Sequence, residues 1–312
     1  MNPQRPNKIQ AGFTLVELLV AMAITTVIVT VLVSITSLAM ETWNRSRSEL
    51  RAARQAKALV DGMANDFEAL VTRRSNLNEW LSAVSTPVPN APAGTPNATK
   101  LIFFTAATDR YNGNIGLTTA SPPDLGGDVS CVAYLLDYRD PISSGTTYKT
   151  FVMNRSLVDP NNTFTDLLGK TNLADAFKKY DGTLAQPASF VCENVFQFTL
   201  TFHVEATHVG AGASPTTTLI NVPIILGNSS ELHLMGTGIT TTVAPPSTST
   251  ATAAELQAGR VKSVEISLTV LSDFGVDMLR KNPALASDNT KFPPFLLKNS
   301  YQYSKRVPIP SM

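Results

Sequence analysis

A run of 23 residues without a charge, Leu18–Met40, constrains this 312-residue chain more than any other feature. It is rich in Val, Leu, Ile, Ala and Thr. As a helix it would rise about 34 Å, against about 30 Å for the hydrocarbon core of a bilayer. One charge, Glu17, stands at its start. An unpaired carboxylate in lipid is costly, so such a residue is expected to have a partner. Residues 1–12 are polar and basic, with Arg5 and Lys8, and hold no apolar core. A secretory signal peptide carries its apolar core before the cleavage point; here the apolar segment follows the leader and would stay with the chain.

Gly12-Phe13-Thr14-Leu15-Val16-Glu17, running into Leu18 and Leu19, resembles the N-terminus of type IV prepilins and pseudopilins. In that family a prepilin peptidase cuts after the Gly, and the new N-terminal Phe is N-methylated. The Glu is the fifth mature residue. The resemblance implies cleavage between Gly12 and Phe13 and methylation of the Phe13 amine. For Glu17 it implies a register role, its carboxylate pairing with the Phe13 amine of a neighbouring subunit as that subunit enters the assembly. Such a pair is strong in low dielectric. Gly12 suits a protease because no side chain obstructs close approach to the backbone.

Beyond the span the helical pattern continues. From Glu41 to about Arg74, apolar residues recur at Leu50, Ala53, Ala56, Val60, Met63, Ala64, Phe67, Leu70 and Val71. Arg45, Arg51, Arg54, Asp61, Asp66 and Glu68 fall on the other side. One apolar face results. A continuous helix from Phe13 to about Arg74 would be about 90 Å long, lipidic in its first half and packed on a head in its second. Gly62 costs up to about 1 kcal/mol relative to Ala without breaking a packed helix. Trp43 stands where an aromatic interface anchor is expected. Arg45, Arg47, Arg51 and Arg54 outnumber the basic residues of the leader, and by the positive-inside rule they favour the opposite orientation. The resemblance overrides that count, because the peptidase works at the cytoplasmic face.

The remainder reads as β-rich. Charged residues make up 16%, while Thr, Ser, Pro, Asn and Gly are plentiful after position 40, which suits an exported domain with long loops. Residues 85–99 are a Pro/Ala/Asn loop. Strands are expected at Leu101–Thr105, Val129–Asp137, Lys149–Asn154, Phe190–Glu205, Val222–Leu226 and Val261–Leu271, with Tyr301, Tyr303, Val307 and Ile309 forming a last edge strand. Phe196, Phe198, Leu200 and Phe202 alternate with polar residues, as do Val264, Ile266, Leu268 and Val270, so each strand buries one face. Residues 209–259, rich in Gly, Thr, Ser and Pro with a low-complexity core at Thr240–Ala254, have little regular pattern and read as a long hairpin excursion. The expected fold is α+β and pilin-like, a long N-terminal helix packed on an antiparallel sheet. Its parts are a leader at 1–12, a transmembrane and assembly helix at 13–40, the exported half of the helix at 41–84 and the head at 85–312.

VAYLLDYRD, YKTFVMNRSLVDPNNTF, ENVFQFTLTFHVEA and VKSVEISLTVLSD are similar in order and spacing to the minor pseudopilins of the J type. This resemblance implies a structural subunit of a type II secretion pseudopilus, near its tip. The alternative with the same N-terminus is a minor pilin of a type IV pilus or DNA-uptake (competence) system. Implied partners are the prepilin peptidase, other major and minor pseudopilins through the N-terminal helix, the inner-membrane assembly platform and secreted substrate. The implied location is the inner membrane, single-pass, with the head in the periplasm.

No catalytic constellation stands out. The chain has no G-x-S-x-G, H-E-x-x-H, G-x-x-x-x-G-K-[ST] or G-x-G-x-x-G, so neither an enzyme nor a cofactor is expected. A net charge of +1 offers no pull toward nucleic acid. His203 and His208 are an odd number of residues apart and would face opposite sides of one strand, so they could not chelate together. Asp137 with Asp140, or Asp159-Pro160-Asn161-Asn162, offers oxygens, but an Asx turn explains the latter more simply, and no metal site is expected. Cys131 and Cys192 would either pair in an oxidising compartment, stabilising by about 3–4 kcal/mol, or stay as buried thiols in separate strands.

Overall fold

The computed structural model describes residues 14–106, 128–142, 148–208, 215–224, 229–246, 249, 251–288 and 290–310. The chain divides into two compact units, residues 1–50 and residues 51–312. In the first, α1 (Leu15–Glu68) begins, and no residue from Thr14 to Leu50 is buried.

The second unit opens on the rest of α1 and continues with β1 (Glu79–Thr86), β2 (Ala98–Thr105), β3 (Ser130–Arg139) and β4 (Thr150–Val158). Short helical pieces follow, α2 (Pro160–Asn162), α3 (Leu173–Phe177) and α4 (Asp181–Leu184). Then come β5 (Phe190–Glu193), β6 (Val195–His208), β7 (Thr216–Ile224), β8 (Glu231–Met235) and β9 (Gly238–Thr241). The chain closes with α5 (Ala253–Gln257), β10 (Arg260–Leu271), α6 (Asp273–Lys281), α7 (Phe292–Asn299) and β11 (Ser300–Pro308).

Among the described residues all strand pairs are antiparallel, in two sheets: seven strands in the order β5-β4-β3-β2-β1-β8-β9, and four in the order β11-β10-β6-β7. Alternation explains the smaller sheet. Phe198, Leu200 and Phe202 lie opposite Leu268, Ile266 and Val264, and all six enter the main core. The larger sheet is buried on both faces. Leu101 and Phe103 join the main core, while Ile102 and Phe104 join a second cluster with Trp80, Cys131, Leu167, Leu173 and Phe177 under the helical pieces. Double burial is why β2 reads Leu-Ile-Phe-Phe without alternation. The mixed α+β fold, a long N-terminal apolar helix with antiparallel sheets, is pilin-like as expected.

Four details depart from the sequence reading. First, α1 stops at Glu68, not near Arg74. The end of β2 captures the chain there: Val71 N donates to Phe104 O at 2.9 Å, Ala106 N to Ala69 O at 2.8 Å, and the Thr105 hydroxyl to Asp66 O at 3.1 Å. Second, a strand, β1, occupies positions assigned to helix within 41–84. Third, residues 209–259 hold more regular structure than one long hairpin excursion: β7 extends the smaller sheet, and the β8–β9 hairpin extends the larger one through β1. Thr is a good strand former, and the reading found only the end of β7, at Val222. Residues 209–214, 225–228, 247, 248 and 250 of that segment lie outside the described ones.

The fourth is a corner. The single strand expected over Phe190–Glu205 divides at Asn194, whose φ of 64° turns the chain from β5 in one sheet to β6 in the other. Asn tolerates this left-handed conformation better than most residues. Its side chain is anchored, accepting from Thr150 Oγ1 at 2.6 Å and donating to Asp273 Oδ1 at 2.9 Å.

Candidate assembly helix

Gly12 and Phe13, the expected cleavage and methylation positions, lie outside the described residues. Thr14 and Glu17 are described, and they close the N-terminus of α1 on each other. Thr14 N donates to Glu17 Oε2 at 2.9 Å, Thr14 Oγ1 donates to the same oxygen at 2.8 Å, and Glu17 N donates back to Thr14 Oγ1 at 3.3 Å. This is the reciprocal arrangement of a capping box, S/T-x-x-E. The signal was in the sequence as Thr14-Leu15-Val16-Glu17, and the reading of Glu17 as an intermolecular group passed over it. Within one chain, then, the carboxylate has a partner in its own helix.

Most hydroxyls of the residues that follow are handled the same way. Thr25, Thr26, Thr30, Ser34, Thr36 and Thr42 each donate to the carbonyl four residues earlier, at 2.7 to 2.9 Å. Hydroxyls so engaged present little to an apolar solvent, where each unsatisfied donor would cost several kcal/mol. Every large apolar side chain from Leu15 to Met40 is more than half exposed, on all sides of the helix. A helix apolar all round belongs inside a membrane or a protein assembly. Among the described residues this is the one helix long and apolar enough to cross a membrane. Trp43, 71% exposed, follows it at the expected anchor position.

From Arg51 on, α1 is pinned by charge. Arg51 bonds Glu193 and, at 3.0 Å, Asp273, so one of the four arginines that trouble the topology count has partners within the head. Lys305 on β11 reaches Asp61 at 2.6 Å. The strongest pin is Asp66. The sequence placed it on the polar side, yet it is fully buried. Arg155 of β4 meets it with two hydrogen bonds, Nε to Oδ2 at 2.9 Å and Nη2 to Oδ1 at 3.1 Å, and the Tyr134 hydroxyl donates to Oδ2 at 2.5 Å. Burial, then the Asp66 charge, pushes the Tyr134 hydroxyl well above its usual range, so it stays a donor. The hint was positional: Asp66 falls between Ala64 and Phe67, inside the apolar stripe. The buried face is Ala52, Ala56, Leu59, Val60, Met63, Ala64 and Phe67, while Leu50, expected to begin it, is exposed.

The cysteines are the second of the two readings left open. Both are free and buried. Cys131 on β3 pairs with Val158, and Cys192 on β5 with Met153, with β4 between them. Val158 and Met153 are five residues apart, so the thiols point to opposite faces of the sheet and enter different cores. Burial raises both, Cys192 to about 12, so neither is a ready thiolate.

His203 and His208 do lie on one strand, and their partners differ: Asn221 and Glu265 for the first, Glu255 for the second. Asp159 caps α2, accepting from Asn162 N at 2.9 Å and Asn162 Nδ2 at 2.6 Å, which is the Asx-type turn. Asp137 and Asp140 accept the backbone amides of Tyr138 and Ile142. Gly236-Thr237 is the turn of the β8–β9 hairpin, and a Cβ on Gly236 would fall 2.2 Å from Asn76 Oδ1. Ser82, His233 and Glu79 come together in a way that superficially suits nucleophilic catalysis. Ser82 is 1% exposed, however, and the histidine nitrogen nearest it is held by Glu79.

Residues 7–33 match the prokaryotic N-terminal methylation motif. No curated protein and no solved structure matches the chain. The match supports a type IV pilin-like protein, a structural class whose members are processed by prepilin peptidase and assemble with other pilins. Together with the one long apolar helix among the described residues, it suggests a single-pass membrane anchor with a pilin-like head.

Proposed function

We propose that this chain is a minor pseudopilin-like structural subunit of a type II secretion pseudopilus. It is cut between Gly12 and Phe13, methylated at the Phe13 amine and held in the inner membrane with its head in the periplasm. From there it is packed by its helix into the pseudopilus, near the tip. The observation that carries this reading is the union of the methylation motif with an exposed apolar helix, most of whose hydroxyls are turned onto its own backbone. Such a surface requires an apolar solvent first and helical neighbours later.

The capping box adds a step to assembly. In the subunit alone, Glu17 is bonded to Thr14; in the assembly it pairs with the Phe13 amine of a neighbour. The exchange keeps the carboxylate partnered in both settings, which limits the cost of carrying a charge through lipid.

Intact mass and N-terminal sequencing of the membrane-extracted protein, from cells with and without prepilin peptidase, test the reading. A chain beginning at N-methyl-Phe13 only when the peptidase is present is the expected result. A chain still carrying residues 1–12 in both strains would reduce the span to an ordinary anchor. Deletion strains then choose the machine: loss of secreted enzymes supports a pseudopilus, and loss of DNA uptake or surface motility supports a pilus.

A further inference from the structure

On the outer face of the larger sheet, His233 of β8 stands between two carboxylates. Its Nδ1 is 2.5 Å from Glu79 Oε1 on β1, and its Nε2 is 3.2 Å from Glu231 Oε2 on β8 itself. Glu79 is 2% exposed, and its other oxygen accepts the Leu173 amide that opens α3. Burial of a carboxylate this complete is costly without a cation. Ser82, opposite His233 in the register, places its hydroxyl 3.4 Å from Nδ1. In the groove beside Ser82, Lys100 of β2 pairs with Asp181 at 2.8 Å, and Lys178 with Asp175 of α3 at 2.7 Å; Lys170 is the cationic residue next along, its carbonyl accepting the Glu79 amide at 2.9 Å.

An oxygen acceptor at each ring nitrogen calls for a ring that donates from both, and only the imidazolium does so. A neutral ring can donate to one carboxylate and must turn a lone pair toward the other. The β8–β9 hairpin is the edge of its sheet and pairs there with β1 alone, while Leu232, Leu234 and Ile239 anchor it in the main core. We propose that His233 is a pH-operated latch: protonated, it clamps the β8–β9 hairpin to β1; neutral, it loosens that pairing, so that the hairpin opens from the edge of β1 more often. An uncovered edge presents a row of unpaired backbone groups to any strand that can add to it.

The direction of the switch follows from the site. The Glu79 hydrogen bond, and after it that of Glu231, raise His233 above its ordinary range against the opposing effect of burial. A raised value in the folded state means that the clamp is at full strength below the unfolded value of about 6.5 and is lost as pH climbs through the folded one.

Hydrogen exchange with mass spectrometry on the full-length chain in detergent tests the latch, with peptides from residues 229–242 compared against β10 as an internal standard. Between about pH 5.5 and about pH 8.5, after correction for intrinsic rates, hairpin protection relative to β10 should fall roughly tenfold. In His233→Gln, which cannot titrate, the ratio should stay flat. Glu231→Gln removes only the partly exposed partner, so it leaves the fold intact and should move the transition to lower pH. An unchanged ratio in the native chain would overturn the proposal. So would a fall that survives in His233→Gln, or a transition that Glu231→Gln leaves in place.

Discussion

Between Leu15 and Met40, α1 turns most of its hydroxyls onto its own backbone; between Arg51 and Glu68 it sends charged side chains to the strands and helices around it. The first stretch turns hydroxyls back onto carbonyls four residues away, leaves its large apolar side chains exposed and draws Glu17 into its own N-terminal cap. The second buries Leu59, Met63 and Phe67 in the main core and sends Arg51, Asp61 and Asp66 out to partners on β5, β11, α6 and β4. One helix is thus written for two solvents. A helix meant for lipid can keep nothing unsatisfied, because no water will reach it. A helix meant for a head can use charge to fix its rotation and depth, because partners are waiting in strands of known position.

Breaking the charged half should cost most. Arg155→Leu leaves Asp66 buried without its cation and should destabilise the head by about 3–5 kcal/mol in denaturant titration of the full-length protein. Asp66→Leu together with Arg155→Leu should recover much of that loss, since no charge then remains buried. If the single and double variants are equally unstable, the pair is a packing element and the contrast drawn here fails.

The apolar half should respond to a different assay. Val29→Arg, near the centre of the span, should cost about 2.5–3.5 kcal/mol of membrane insertion and shift the protein out of the carbonate-resistant membrane fraction. Head melting should stay where it was. A fall in melting temperature as large as that of Arg155→Leu would mean that the two stretches are not independent.

Smaller changes sharpen the picture. A Cβ added at Gly62 meets nothing within 4 Å, so Gly62→Ala should stabilise α1 by about 0.5–1 kcal/mol, read as a higher denaturation midpoint. The cysteines should have the least effect. Mass and mobility should be the same with and without reductant, and alkylation of the native chain should be slow at both thiols. Rapid joint loss of the two on oxidation would contradict their placement on opposite faces.

Much of this is legible in the sequence alone. The 23-residue uncharged run, the Gly-Phe-Thr-Leu-x-Glu start and the alternation of β6 and β10 each depend on neighbours close in sequence, and each reappears in the structure or in the methylation-motif match. The cap of α1 was also local, spelled by Thr14 and Glu17, and was missed only because Glu17 was assigned a more distant partner.

What the chain order could not decide was decided by contact. Asp66 reads as a surface residue until Arg155, 89 positions later, arrives beside it. The helix reads as running on to Arg74 until β2 takes over its last carbonyls. Residues 209–259 read as one long hairpin excursion until β6 and β1 offer edges on which β7 and β8 pair. The cysteines could be joined or apart until β4 came between them. Local sequence determined where the chain is apolar, helical or extended, because those preferences act over a few residues. Which face is buried, where an element stops and which charge meets which are settled by partners from distant parts of the chain, and only the folded structure brings those together.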